Sequence, residues 1–520
     1  MKHGQPPPWY LLALPFFVSI GMLVPVVYLV LRAFDGDPAE LSQVVFRRRN
    51  LSLLANTLLL NLGVLIVVSL LALPLAWLTT RSDLVGKQVV SVLGVLPLAV
   101  PGYVMAYTLL ALSGPYGTAA TLFGVQVPRF TGYWGALTAL SLSTFPYLFL
   151  QLRAGLAGLD PAYEETGRSL GYGPTCVFFF VVLPQLFPAF LAGTLLVSLH
   201  VLGDFGVVSL MRYETFSYAL FLQYTASYDR VYAAWLALML LGLTGGLIST
   251  DAWLLRTRQF YRVGSGAART GASIPLGLWA GPAYLFITGL TFLSVIVPLL
   301  TIGFWLSQRP MTAAFAEILA VLWHSLSACV PAALLAAALA IPVAYLGTRY
   351  PSPLSRLLER IAYIGYATPS LAFALALIFF TLSVVPTLYQ TLPLLIGAYT
   401  LHFLAEAVGP VRNVLYQATP RLEEAARTLG YGPIGAFRTT TLPLLRSGLI
   451  VSTTFVFLST MKELPITFLL APLGFETLAV NIWGYTTEAM FAEAAPYALT
   501  ILVFSSLFVW LLLAQERRGG

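Results

Sequence analysis

Glu164-Glu165-Thr166-Gly167-Arg168-Ser169-Leu170-Gly171-Tyr172-Gly173-Pro174 occurs a second time as Glu423-Glu424-Ala425-Ala426-Arg427-Thr428-Leu429-Gly430-Tyr431-Gly432-Pro433, identical at eight of eleven positions. A Leu-Pro pair follows each copy at the same distance, Leu183-Pro184 and Leu442-Pro443. Each copy is polar and lies between long apolar runs. Asp160-Pro161 and Thr419-Pro420 supply a capping residue and a proline for the first helical turn. Gly171 and Gly430 suit the left-handed position just past a helix end. The spacing predicts a short polar helix over each copy, too short to hold its shape unless it docks on something.

The duplication reaches well beyond the motif. From Asn56/His324 through Pro74/Pro342 to Pro101/Pro369 the halves align at an offset of 268, and from Arg153/Arg412 to Asp204/Glu463 at 259. Both copies run in the same order, which with an even number of crossings per half predicts a pseudo-two-fold axis along the membrane normal. The expected organisation is a first unit over residues 1–262, a polar linker over 263–275 and a second unit over 276–520.

Composition sets the class. Hydrophobic residues are 58% of the chain, charged residues 9%, and mean hydropathy is +0.84. Soluble domains carry about a quarter charged residues, so this chain could not cover a soluble surface. Spans of about 20 apolar residues are expected near 10–32, 53–79, 88–113, 134–157, 184–208 and 231–255. A second set is expected near 278–306, 318–347, 357–384, 391–416, 443–470 and 494–514. The fold class is therefore all-α and polytopic, twelve transmembrane helices in two parallel six-helix halves. The first apolar run is too long for a signal peptide and reads as a retained span. The net charge of +7 comes from Lys and Arg in short loops, so it signals topology and not nucleic acid. With the N-terminus inside, 19 of the 28 basic residues fall on the inner side, which predicts cytoplasmic termini and cytoplasmic motifs. Two isolated cysteines, Cys176 and Cys329, support neither a disulfide framework nor a thiolate metal site.

Charge inside a span is costly and marks a pathway or a partner. Asp204, Glu406 and Lys462-Glu463 are the candidates. Asp204 and Glu463 are repeat-equivalent, which predicts two carboxylates facing each other across the axis. Together with Glu476 on the outer side they favour a cation, and Asp204 and Glu463 are the candidate metal contacts. A structural alternative stands beside this: Glu463 pairs with Lys462 or Arg446, and Asp204 caps a helix broken at Gly203 or Gly206. His200, His324 and His402 lack helical partners and read as packing residues. No phosphate-cradling Gly-x4-Gly-Lys-Ser/Thr loop occurs, so the chain is expected to be no enzyme and to bind no cofactor itself. An ion-coupled secondary transporter is the competing class, with Asp204 and Glu463 as ion sites. The duplicated polar loop is hard to explain there.

The motif resembles the cytoplasmic "EAA" loop of binding-protein-dependent ABC transporter permeases. Glu424-Ala425-Ala426-x3-Gly430 matches it fully; Glu165-Thr166-Gly167-x3-Gly171 departs at both alanines. The resemblance implies a type I ABC importer permease with two units fused in one chain. It also implies coupling to an ATPase dimer through Glu164, Glu165 and Gly171, and through Glu423, Glu424, Ala425, Ala426 and Gly430. A periplasmic or extracellular substrate-binding protein, membrane lipid and a bacterial inner-membrane location follow from it. Leu202-Gly203-Asp204-Phe205-Gly206 and Met461-Lys462-Glu463-Leu464-Pro465, with Phe475-Glu476-Thr477, look like signatures of ferric-iron permeases. These imply Fe(III) as cargo; thiamine, phosphonate and polyamine permeases share the architecture.

Overall fold

The computed structural model describes residues 9–35, 46–159, 161–226, 229–256, 273–308 and 315–519. Asp160 and residues 263–272 of the expected linker lie outside them. Among the described residues the regular structure is helical, apart from one bridge between Ser82 and Ile274.

Eight helices are long and apolar enough to cross a membrane: Leu11–Ala33, Arg48–Thr80, Gly132–Gly158, Arg230–Leu254, Gly277–Ser307, Phe315–Arg349, Pro433–Met461 and Phe491–Leu511. Three further crossings are bent: Lys87–Ala99 with Gly102–Leu112 by 89°, Phe178–Gln185 with Phe187–Gly203 by 57°, and Leu392–His402 with Leu404–Gln417 by 50°. Ser370–Val384 is apolar but shorter. In chain order these elements fill the twelve expected places.

Several of these crossings are bent or broken. The third crossing turns at Pro101 and the ninth at Pro369, because proline offers no N–H to the helical ladder and pushes the preceding residue into an extended conformation. Val100 accordingly has φ −89° and ψ 109°, and new helices start at Gly102 and Ser370. Pro74 and Pro342, by contrast, sit inside continuous helices. The fifth and eleventh crossings stop at Gly203 and Met461 and resume as short helices, Gly206–Leu210 and Pro465–Leu470.

The halves are interlocked. A Cβ added to Gly21 of the first span would meet Leu401 at 3.2 Å, and the Tyr28 ring lies 5.4 Å from Phe380. The seventh span answers from the other side: Tyr284 donates to the Val85 carbonyl (3.1 Å) and Trp305 to that of Ala111 (3.4 Å). Each unit thus lends its first span to the other. Loops on the face opposite the motifs dock by repeat-related bonds. Asn56 donates to the Glu214 carbonyl at 3.0 Å, and the His324 ring to that of Glu476 at 3.2 Å. Thr57 and Ser325 hydroxyls accept from Phe216 and Leu478 N–H at 3.1 and 3.0 Å.

Candidate functional site

Two repeat-related places concentrate polarity in this apolar chain. The first is the pair of motif helices, Pro161–Ser169 and Arg421–Thr428. Each ends as its glycine predicts: Gly171 has φ +86° and Gly430 φ +92°. The Tyr172 N–H reaches the Gly167 carbonyl (3.2 Å) and Gly171 that of Arg168 (3.0 Å). Tyr431 bonds Ala426 (3.2 Å) and Gly430 bonds Arg427 (3.1 Å) in the same pattern, a paired closure that satisfies the last carbonyls of the helix. The start of the second helix differs from expectation. Pro420 is already helical (φ −57°, ψ −25°) with no side-chain cap, and Thr419 contributes its carbonyl to Leu422 N–H (3.3 Å).

Neighbouring glutamates of each motif point in opposite directions. Glu423 is only 6% exposed and accepts from Tyr345 (2.7 Å) and Thr441, while Arg81 lies 3.1 Å from Glu164. These two carboxylates face the chain's own spans, Glu423 buried and Glu164 half-buried, so the motif's outer surface is formed by their neighbours. Ala426 is buried with them. Glu165, Glu424, Ala425, Gly171 and Gly430 are exposed. Sequence reasoning missed the most prominent part of this outer surface, four apolar side chains around the glycines: Leu170, Tyr172, Leu429 and Tyr431. Leu170 and Leu429 are 71% and 79% exposed.

The first copy's departure at Gly167 is an internal packing exchange. A Cβ there would meet Val177 at 3.2 Å and Val181 at 3.6 Å, whereas the second copy pairs Ala426 with Ala436 at the position of Val177. Gly and Val replace Ala and Ala at nearly constant volume, the kind of swap tight packing tolerates best. Of the two departures only Thr166 changes the outer surface.

The second place is the axis between the halves. Asp204 is extended (φ −68°, ψ 127°), and its Oδ1 accepts the Val207 N–H at 2.8 Å. Glu463 Oε1 accepts the Ile466 N–H at 3.1 Å, the same contact one repeat later. Both carboxylates therefore cap the short helices that follow. Capping was the structural alternative for Asp204, and it holds for Glu463 too. The proposed pairing of Glu463 does not occur: among the described residues neither Lys462 nor Arg446 forms an ion pair, and Lys462 donates to the Leu98 carbonyl of the other half.

The surroundings of the two carboxylates differ. Ser370 lies 3.4 Å from Glu463 Oε2 and 3.2 Å from the His402 ring, whereas its repeat partner is Gly102, whose added Cβ would stand 3.4 Å from Asp204 Oδ2. Beside them Phe205 and Phe221 of the first half interleave with Phe468 and Trp483 of the second, centroids 4.4 to 5.9 Å apart. Trp483 also donates to Ser209 across the halves (2.9 Å). Glu476 is not part of this arrangement. It is exposed on the far face, where its carboxylate accepts from Asn481 at 3.1 Å. No group of three or more His, Cys, Asp or Glu side chains able to hold a metal occurs among the described residues.

Comparison with known proteins agrees with this architecture. The family described as "Binding-protein-dependent transport system inner membrane component" matches twice, over residues 72–254 and 330–518. The chain is 32% identical over 512 residues to the "Fe(3+)-transport system permease protein FbpB 2" of Haemophilus influenzae, covering 97% of this chain and 98% of that one. Sulfate transport system permease protein CysT of Salmonella typhimurium is 32% identical over 196 residues, 37% of this chain and 70% of CysT. Molybdenum transport system permease protein ModB of Escherichia coli is 34% identical over 157 residues, 28% of this chain and 67% of ModB.

Proposed function

The chain belongs to the inner-membrane components of binding-protein-dependent transport systems, and from that premise we propose that it is the fused permease of an ATP-driven importer of ferric iron. The two units are residues 1–262 and 276–520, joined by 263–275. A separate ATPase dimer grips the motif face from the cytoplasm, where both termini lie, and an iron-loaded binding protein docks on the opposite face. ATP and magnesium stay on the ATPase. Asp204 and Glu463 meet the ion as it passes between the halves.

The observation that carries the cargo is likeness along nearly the whole chain to an Fe(3+) permease, where the sulfate and molybdenum relatives align with little more than a third of it or less. Two facing carboxylates suit a hard cation, which takes oxygen ligands, and would repel an oxyanion. On the motif face, Glu165, Leu170 and Tyr172 with Glu424, Ala425, Leu429 and Tyr431 form the surface the ATPase covers.

The cargo is tested in cells lacking their own importers and expressing this chain with its ATPase and binding protein. Uptake of labelled ferric iron, with labelled thiamine excluded, is the expected result. Thiamine uptake without iron uptake would overturn the cargo and leave the importer.

A further inference from the structure

The first glutamate of each motif is buried against the spans, yet the two are held by different chemistry. Arg81 Nη2 stands 3.1 Å from Glu164 Oε1 and donates to the Leu156 carbonyl at 3.2 Å, with the two side chains 8% and 15% exposed. Arg349, the repeat partner of Arg81, donates instead to the Ala418 carbonyl at 2.7 Å. Glu423 is left to the hydroxyls of Tyr345 and Thr441, with Arg427 of its own helix at 4.0 Å. The first-half counterparts of those hydroxyls are Trp77 and Val182, which have none to offer.

Arg81 has a further tie. Its carbonyl accepts the Ile274 N–H at 2.8 Å, Asp83 N–H donates to the Ile274 carbonyl at 3.0 Å, and Asp83 Oδ1 accepts the Leu276 N–H at 2.8 Å. The end of the linker, with the first residue of the second unit, thus straps the turn that carries Arg81. The corresponding turn after Arg349 closes on its own half: Ser355 donates to the Tyr350 carbonyl at 2.7 Å and its N–H to Ser352 at 3.0 Å.

We propose that Glu164 and Glu423 are positioning residues that pass movement of the docked ATPase to the spans, and that they are not equivalent. The first motif helix is tied through Arg81 to both halves; the second is tied within its own half. The inference rests on the importer reading above. It separates the two loops by chemistry. Removing one charge of a desolvated ion pair strands the other. An amide in place of Glu423 still accepts from one hydroxyl, and a hydroxyl can turn to accept from the amide.

The test is the full complex in proteoliposomes, with the metal-loaded binding protein added. Glu164→Gln is expected to lower iron uptake by roughly tenfold or more and to abolish the rise in ATP hydrolysis that the binding protein causes, while the ATPase still co-purifies. Glu423→Gln is expected to stay within about twofold of wild type. Equal losses, or the larger loss at Glu423, would overturn the proposal. If Glu164→Gln fails to assemble, Asp83→Ala loosens the strap alone; reduced stimulation supports the proposal and wild-type stimulation contradicts it. A wild-type chain that retains no ATPase would instead defeat the importer reading, so the two failures are told apart.

Discussion

Asp204→Asn combined with Glu463→Gln is expected to abolish iron uptake while leaving the chain folded, inserted and bound to its ATPase. The substitutions separate the two jobs of these carboxylates. An amide oxygen can still accept the N–H of Val207 or Ile466, so both short helices remain capped. What disappears is negative charge on the axis. A unit charge pair 4 Å apart is worth about 4 kcal/mol at an effective dielectric constant of 20, roughly a thousandfold in occupancy for each carboxylate neutralised. Each single variant is expected to lower uptake at least about tenfold, a discount for water and neighbouring charges. Labelled iron uptake, normalised to the chain present in the membrane, reads the effect. Unchanged uptake in the double variant would leave Asp204 and Glu463 as helix caps and nothing more.

The second large effect lies on the motif face. Leu170→Asp with Leu429→Asp is expected to release the ATPase from the membrane. Both leucines stand in water, so neither contributes to the fold of the free chain. Burying a leucine in a partner contributes about 1.5–3 kcal/mol, and an aspartate at the same place meets that partner as an unpaired charge. A loss of affinity of about a hundredfold or more follows for the pair. Co-purification of the ATPase with wild-type and variant chains measures it. Retention of the ATPase by the double variant would show that it binds elsewhere.

Much of this is legible in the sequence because duplication writes the same statement twice. The motif helices and their glycine ends are readable from Pro161, Gly171, Pro420 and Gly430, whose backbone preferences are local. The equivalent places of the two buried carboxylates follow from the match of Asp204 with Glu463. Directions across the motif helix are not legible. Glu423 and Glu424 are neighbours in sequence, and which one turns inward depends on Tyr345, 78 residues away. Aligning the repeats at that level gives a hint, since Tyr345 and Thr441 replace Trp77 and Val182 in the half where Arg349 turns to the Ala418 carbonyl and not to the glutamate. The departure at Gly167 resembles a weakened docking surface in sequence because Val177, which fills the space, lies in another helix. The sharpness of the turn at Pro101 is hidden for a different reason. An apolar run interrupted by proline has the same composition whether it bends gently or by 89°. Charge alone puts Glu476 on the pathway; its carboxylate is bonded to Asn481 at the surface.

The importer reading stands or falls on whether work done by the ATPase on the motif face moves cargo through this chain. The direct measurement is iron uptake into proteoliposomes containing the chain, with and without the ATPase, while ATP hydrolysis is followed in the same vesicles. Uptake and hydrolysis that rise together when loaded binding protein is added, and that both vanish without the ATPase, are the predicted result. Uptake that persists without the ATPase and follows an imposed proton or sodium gradient would contradict it.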